Sequence, residues 1–184
     1  MKAKQENYPA RSVYKLKEIQ QKFRIIKKND IVLDLGCAPG AWLKYTAEQV
    51  GSKGKVVGID ILPVQSIAYP NITTIQGDVL LPDTLTIYDN LFHVILSDMA
   101  PATTGRKEVD AFKSLELCLA AFKISKLLLK SGGHFICKIF QGKETSNLFN
   151  TLKATFQQVK QFKPMSCRKA SKEIYFIGLC KQQE

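Results

Sequence analysis

The stretch that most constrains the fold of this chain is residues 31–42, which read IVLDLGCAPGAW. It begins with a short apolar run, too brief for a helix, that breaks at Gly36 and crosses a tight turn of glycine and proline. The sequence after the turn is compatible with a helix, so the stretch predicts a buried strand that feeds directly into a helix. Glycines at 36 and 40 leave no side chain over the turn, and a flat ligand can therefore approach the free N–H groups of the helix.

The residues of this turn favour one class of nucleoside cofactor. A dinucleotide fingerprint reads G-x-G-x-x-G, and its second glycine makes room for a pyrophosphate. Here Ala38 and Pro39 occupy those positions, and proline lacks the N–H that a phosphate would use. Asp34, at the end of the strand, suits a cationic ligand. The turn therefore favours S-adenosylmethionine over NAD or FAD, and a nicotinamide dehydrogenase is the weaker alternative.

The rest of the chain alternates between strand and helix patterns. Apolar runs predict further strands at Lys55–Asp60, Ile72–Gln76, Leu91–Ser97, His134–Phe140, Gln158–Phe162 and Glu173–Leu179. Helical spacing predicts helices at Tyr8–Phe23 with Ser12 as its N-cap, Ala41–Val50, Val109–Leu129 with Gly132-Gly133 as its stop, and Thr145–Phe156. We therefore expect residues 1–184 to form a single doubly wound α/β domain, with residues 1–28 as a basic segment and helix packed on it.

Composition indicates a polyanionic partner. Lysine and arginine number 27 against 16 acidic residues, a net charge of +11 that is typical of RNA or DNA binding. The basic residues concentrate in two stretches, Arg11–Lys28 and Lys160–Lys172. No apolar run approaches the length of a membrane span, and the N-terminus lacks a signal-peptide core, so the expectation is a cytoplasmic protein with no membrane partner. Five cysteines without metal-ligand spacing predict buried thiols and no metal site.

Charged residues recur where predicted strands end, the edge at which open α/β sheets bind ligands. We expect Asp60 to accept the ribose hydroxyls of a nucleoside and Asp78 to accept from an adenine amino group. Lys138 lies inside an apolar strand, where an ammonium is costly unless it is paired. Neighbouring strands lie about 4.8 Å apart, so Lys138 can meet Asp98. Glu173 reaches the same edge if the last strand is antiparallel and adjacent.

Five blocks, in order along the chain, resemble the signature blocks of the FtsJ (RlmE) family of ribose 2′-O-methyltransferases. They are RSVYKL at 11–16, DLGCAPGAW at 34–42, SDMAP at 97–101, KIFQG at 138–142 and SKEIY at 171–175. The resemblance implies a Rossmann-like methyltransferase fold that uses S-adenosylmethionine, with a mixed sheet of about seven strands, the last one antiparallel, and helices on both faces.

The resemblance also implies site residues. The K-D-K-E tetrad of the family corresponds to Lys15, Asp98, Lys138 and Glu173. The resemblance implies contacts to S-adenosylmethionine at Gly40, Trp42, Asp60, Asp78 and Asp98. The glycine turn described above adds Gly36 as a further expected contact. We expect Lys138 to steer the ribose oxygen and finally deprotonate it, with Asp98 and Glu173 as its electrostatic partners and Lys15 as a contributor on the RNA side.

The function implied is methylation of a ribose 2′-hydroxyl, most specifically that of a uridine in large-subunit ribosomal RNA, with that RNA or the large subunit as partner. Small size without an appended RNA-binding domain resembles the ribosomal-RNA branch of the family, and a monomer is expected. A tRNA 2′-O-methyltransferase and a catalytically idle RNA-binding relative are the alternatives. The chain departs from the family pattern at Ala102, where asparagine is common, and at Cys167, where serine is common, which affects the substrate loops rather than the reaction.

Overall fold

The computed structural model describes residues 2–64, 67–81, 85, 88, 91–168 and 170–183. The helices within these residues are α1 (Lys2–Gln5), α2 (Val13–Phe23), α3 (Ala41–Val50), α4 (Lys107–Leu128) and α5 (Thr145–Lys153). The strands are β1 (Ile31–Leu35), β2 (Lys55–Asp60), β3 (Ile72–Gln76), β4 (Phe92–Ser97), β5 (Leu129–Phe140), β6 (Phe156–Phe162) and β7 (Glu173–Lys181).

The seven strands form one mixed sheet in the order β3-β2-β1-β4-β5-β7-β6. Strands β1 to β5 are parallel to one another, whereas β7 is antiparallel to both β5 and β6. The predicted seven-stranded Rossmann-like sheet with an antiparallel last strand is confirmed. Because the parallel strands end at the same edge, the residues that follow β1, β2, β4 and β5 lie around one cleft.

Helices cover both faces of the sheet. On one face α2 and α3 pack on the strands through Leu16 and Leu43, both fully buried. On the other face α4 and α5 pack through Phe122 and Leu148. Among the described helices none is long and apolar enough to cross a membrane.

The first amphipathic helix is shorter than predicted. It begins at Val13 rather than near Tyr8, and its apolar stripe of Val13, Leu16 and Ile19 is buried as expected. Ser12 was expected to cap the helix, but its own backbone is already helical and its side chain makes no capping hydrogen bond. Its carbonyl instead accepts a hydrogen bond from the Trp42 indole at 2.9 Å.

The predicted glycine stop of α4 is wrong, although the helix ends within one residue of the predicted Leu129. Helix α4 ends at Leu128 without a glycine stop, because the Lys181 ammonium donates to the carbonyls of Lys126 and Leu129 and satisfies the end of the helix. Gly132 and Gly133 lie within β5, next to the irregular register between β4 and β5.

Helix α5 ends at Lys153, three residues earlier than predicted. Phe156 opens β6 because its ring is buried and stacks on Phe135, with ring centroids 6.0 Å apart. An aromatic ring at this position is better buried against the sheet than on one more turn of an exposed helix.

Candidate active site

The turn after β1 opens onto a cavity of about 730 Å³ at the C-terminal edge of the sheet. Gly36 has φ +74° and lines the cavity, and a Cβ built there would lie 2.4 Å from Met99 Cγ. The N–H groups of Gly36 and Cys37 donate to the carbonyl of Ile59 at 2.9 and 3.2 Å. These bonds fasten the turn to β2, so the backbone floor of the cavity is held rigidly.

Three of the predicted cofactor carboxylates, Asp60, Asp78 and Asp98, line this cavity. Asp60 accepts from the N–H of Ala38 and from the N–H of Leu62, both at 2.9 Å. It therefore clamps the turn to the end of β2. A carboxylate offers about four acceptor positions, so Asp60 retains capacity for ribose hydroxyls. Asp78 accepts from the N–H of Leu80 at 2.9 Å, which orients its side chain at the same rim.

Asp34 lies beneath the turn and is only 1% exposed. Neither of its carboxylate oxygens has a hydrogen-bond partner among the described residues, an arrangement that native interiors rarely tolerate. Burial, followed by repulsion from Asp98 and Asp60, raises the pKa of this carboxyl well above its ordinary value. The negative field of the three carboxylates in the cavity wall, Asp60, Asp78 and Asp98, would repel a pyrophosphate. It fits the ammonium and sulfonium of S-adenosylmethionine.

Gly40 and Trp42 lie behind the turn rather than in the wall of the cavity. Gly40 precedes α3 with φ +101°, and a Cβ there would lie 2.4 Å from Ile67 Cδ1. The Trp42 indole is 3% exposed and packs against Tyr175, with ring centroids 6.0 Å apart. The side chain of Trp42 is therefore part of the core. The backbone N–H in the first turn of α3 is the part of this residue suited to a ligand.

The predicted meeting of Lys138 and Asp98 is present. Lys138 is 6% exposed, and its Nζ lies 3.0 Å from Asp98 Oδ1 and also donates to the backbone carbonyl of Asp98. Tyr175, opposite Lys138 in the β5–β7 pair, donates its hydroxyl to the same Asp98 oxygen at 2.6 Å. Asp98 thus holds two donors while it also faces the cofactor cavity.

The other two members of the predicted tetrad form a second ion pair. Lys15 Nζ lies 3.0 Å from Glu173 Oε2, and both side chains are largely buried. Partial burial alone would raise the pKa of Glu173, but a hydrogen bond from the Cys167 thiol, the hydrogen bond from Lys15 and the charge of Lys138 bring it below its ordinary value. Burial, and then the neighbouring Glu173, raise the pKa of Cys167 to about 12. The thiol is therefore a donor and not a thiolate.

The two pairs share one face of the sheet. Glu173 pairs with Phe140 and Tyr175 pairs with Lys138, so Glu173 and Lys138 are diagonal neighbours about 7–8 Å apart at their Cα atoms. The cluster therefore has two ammonium and two carboxylate groups beside the cavity that holds Gly36 and Asp60. A small polar group placed there meets donors and acceptors on several sides.

The two basic stretches meet at this cluster. Arg11 Nη2 donates to the carbonyl of Ser166 at 3.0 Å, and the Glu18 carboxylate accepts from the N–H groups of Met165 and Ser166 at 2.6 and 2.9 Å. Glu18 of α2, together with Arg11 just before that helix, therefore holds the loop between β6 and β7 in place. Lys169, part of the second basic stretch, lies outside the described residues.

Two polar contacts of the site were not foreseen. The hydroxyl of Tyr175 was missed, although a tyrosine within the apolar run of β7 is a signal that a buried hydroxyl needs a partner. Asp110, in the first turn of α4, accepts from the N–H and hydroxyl of Thr104 at 2.7 and 2.9 Å and from the N–H of Gly105 at 3.2 Å. It orders the loop that follows Asp98.

Sequence comparison places the chain among methyltransferases. Residues 8–181 match the model of the family described as FtsJ-like methyltransferase. A protein of Desulforapulum autotrophicum named ribosomal RNA large subunit methyltransferase E is 53% identical over 183 residues, covering 98% of this chain and 90% of the relative. The protein of the same name from Bdellovibrio bacteriovorus is 44% identical, covering 98% and 94%.

Solved structures give the same result. A crystal structure from Plasmodium falciparum, described as a ribosomal RNA methyltransferase, has a TM-score of 0.85 and 34% identity and covers 96% of this chain and 100% of that one. Aeropyrum pernix fibrillarin with natively bound S-adenosyl-L-methionine has a TM-score of 0.69 and 15% identity, covering 91% and 76%. The second likeness concerns the fold alone.

Proposed function

The chain belongs to the FtsJ-like methyltransferase family, and from that membership we propose that it methylates a ribose 2′-hydroxyl, that of a uridine in large-subunit ribosomal RNA, with S-adenosylmethionine as methyl donor. The observation that carries the proposal is the buried Lys138–Asp98 pair at the rim of the cofactor cavity, with the Lys15–Glu173 pair beside it. The name shared by its relatives supports the large subunit as substrate.

The cofactor fits the cavity residue by residue. Gly36 offers backbone, Asp60 offers acceptors for ribose hydroxyls, Asp78 offers an acceptor at the rim, and Asp98 supplies negative charge. Gly40 and Trp42 would contribute through backbone at the start of α3. Bound there, S-adenosylmethionine supplies an electrophilic methyl group on its sulfonium.

Lys138 acts on the substrate oxygen. A ribose hydroxyl is a very weak acid, so holding its oxygen in line with the methyl group matters at least as much as removing the proton. Lys138 is anchored by two contacts to Asp98, which fix the position of its nitrogen. In its amine form Lys138 would accept the hydroxyl proton when that oxygen takes the methyl group and S-adenosylhomocysteine leaves, and Asp98 would stabilise the resulting ammonium.

Lys15 and Glu173 organise the RNA side of the cluster. Glu173 keeps its negative charge because Cys167, Lys15 and Lys138 hold its pKa low, so it balances the charge of both lysines. The basic stretches Arg11–Lys28 and Lys160–Lys172 would contact phosphates around the target. We take residues 1–184 as one methyltransferase domain acting as a monomer, since one chain supplies both cavity and cluster. A cytoplasmic location stays a prediction.

The test is methyl transfer from labelled S-adenosylmethionine to undermethylated large ribosomal subunits, with tRNA transcripts as the competing substrate. A ribose 2′-O-methyl group blocks alkaline cleavage of the adjacent phosphodiester, so the modified linkage is mapped as an alkali-resistant position. Lys138→Met should abolish transfer while S-adenosylhomocysteine still binds. The matched control is Lys53→Met, at an exposed lysine in the turn before β2. Preference for tRNA, or label on a base, would refute the assignment.

A further inference from the structure

A second cavity lies beside the catalytic cluster on the opposite face of the sheet. Its volume is about 340 Å³, within the range of small-molecule sites. Ile139 and Phe140, which directly follow Lys138, line it, as does Lys172, which directly precedes Glu173. The N–H of Gln141 donates to the carbonyl of Lys172 at 3.0 Å, which joins the two walls. Two residues of extended chain span about 7 Å, so this cavity is the immediate neighbour of the reacting position.

The chemistry of the cavity suits a nucleotide. Phe112 of α4 lines it with 60% of its surface exposed, an unusual position for a large aromatic side chain on a helix that has a buried face available. Nucleobases stack on such exposed rings in single-stranded RNA recognition. Ile139, which is 1% exposed, and the half-buried Phe140 add further apolar surface to the cavity.

The rim carries a net positive charge, because three lysines outnumber Glu108 and Glu144 there. Lys107 at the start of α4, Lys143 after β5 and Lys172 before β7 come from three separate elements and surround the cavity. Lys143 contacts Glu108 at 3.5 Å, but both side chains are more than four-fifths exposed. An exposed pair of this kind contributes little, so a phosphate can replace Glu108 as the partner of Lys143.

We propose that this cavity binds one unstacked nucleotide of the RNA substrate next to the methylated one, with its base on Phe112 and its phosphate among the three lysines. The proposal rests on the proposed function for the identity of the RNA. It assigns the cavity to substrate positioning, because the neighbouring nucleotide fixes where the target ribose enters the cluster. It also explains why an aromatic ring stays in solvent on α4.

The test compares Phe112→Ala with Phe112→Tyr, which keeps the ring, and with Leu119→Ala, which removes a similarly exposed apolar side chain two turns further along α4. The probe is a fluorescein-labelled oligouridylate of about eight nucleotides, and binding is measured by fluorescence anisotropy at fixed salt. One stacked base predicts a dissociation constant about tenfold higher for Phe112→Ala, with Phe112→Tyr and Leu119→Ala close to the unmodified protein. S-adenosylhomocysteine binding should not change in any of them.

Methyl transfer to large ribosomal subunits provides the second readout. Phe112→Ala should raise KM for the subunit by a similar factor with a smaller effect on kcat. Equal affinity of Phe112→Ala and the unmodified protein for the oligonucleotide, or a tyrosine variant as weak as the alanine variant, would overturn the subsite. Failure of the unmodified protein to methylate subunits would refute the proposed function instead, and the oligonucleotide comparison would still decide the subsite.

Discussion

Asp34 gives the sharpest prediction, because a buried carboxyl without a partner couples stability to pH. Its pKa in the folded protein is raised well above its ordinary value by burial and then by Asp98 and Asp60. Asparagine has nearly the same shape and cannot ionise. We therefore expect Asp34→Asn to remove one specific contribution to the pH dependence of the free energy of unfolding.

The sign follows from proton counts. Above the unfolded-state pKa of about 4, the unfolded chain loses the Asp34 proton while the folded protein keeps it. The folded state then binds more protons, so rising pH lowers the stability of the unmodified protein. The loss is about 1.4 kcal/mol for each pH unit until the folded-state pKa is reached. For each pH unit between the unfolded-state and folded-state pKa values, Asp34→Asn should therefore become more stable relative to the unmodified protein by about 1.4 kcal/mol.

The assay is urea unfolding of both proteins at half-unit pH intervals, with the difference in free energy plotted against pH. All other titrating groups are common to both proteins, so most of their contributions cancel in the difference. A difference that stays flat, or that falls with pH, would refute the assignment of a protonated buried carboxyl. Only the change with pH tests the prediction. The difference in free energy of unfolding at a single pH does not, because the introduced amide would also lack a hydrogen-bond partner among the described residues.

The same residue predicts a proton-linked cofactor affinity. A cationic ligand in the cavity favours the ionised form of Asp34, so binding of S-adenosylhomocysteine through its ammonium should release a proton at pH values below the raised pKa of Asp34. Calorimetry in two buffers with different ionisation enthalpies measures that release. Asp34→Asn should bind without this component, and equal proton release by both proteins would show that Asp34 does not sense the ligand.

Three further outcomes are expected. Asp60→Ala should weaken the binding of S-adenosylhomocysteine by tenfold or more, since hydrogen bonds to a charged group contribute about 1.5–3 kcal/mol. NAD should not bind to the protein. Unchanged affinity for S-adenosylhomocysteine, measured by calorimetry, would contradict the role of Asp60. Replacing both Lys160 and Lys163 by glutamine should reduce the slope of log affinity for RNA against log salt by about 1.4 to 1.8, whereas an unaltered slope would mean that neither lysine contacts phosphate. Gly58→Ala should lower the free energy of unfolding by about 1–3 kcal/mol through overpacking, because its Cβ would lie 2.6 Å from Leu43 Cδ2. An unchanged midpoint of chemical denaturation would show that α3 moves to accommodate the methyl group at little cost.

Prediction from sequence succeeded where neighbouring strands alone decide the geometry. The meeting of Lys138 and Asp98 follows from the parallel pairing of β4 and β5, since both residues lie at the ends of adjacent strands. The position of Glu173 needed one further premise, that the last strand is antiparallel and next to β5. Lys15 could be placed only by family resemblance, because no local pattern shows that a helix lysine will reach a carboxylate 158 residues away.

Prediction failed where long-range contacts override local signals. The Gly132-Gly133 pair is a strong helix stop locally, but Lys181 donates to the Lys126 carbonyl in the last turn of α4 and to the Leu129 carbonyl just after it, and the helix ends earlier. The family pattern predicted a cofactor contact at Trp42 but could not show where its indole lies, and the packing of the indole on Tyr175 places the ring in the core. The Thr104–Asp110 contact depends on how a loop folds back, which residue spacing does not reveal.

The strand order has a consequence for synthesis on the ribosome. The last strand made, β7, lies between β5 and β6, and β6 pairs with β7 only. Since chains emerge from the N-terminus and elements fold as they become available, β6 must wait outside the sheet until residues 173–181 have left the exit tunnel. Glu173 arrives with that strand, so a nascent chain cannot assemble the cluster until β7 has emerged and paired with β5. Premature termination before β7 therefore has two effects: it removes Glu173 from the cluster, and it leaves β5 as an edge strand with unpaired backbone groups.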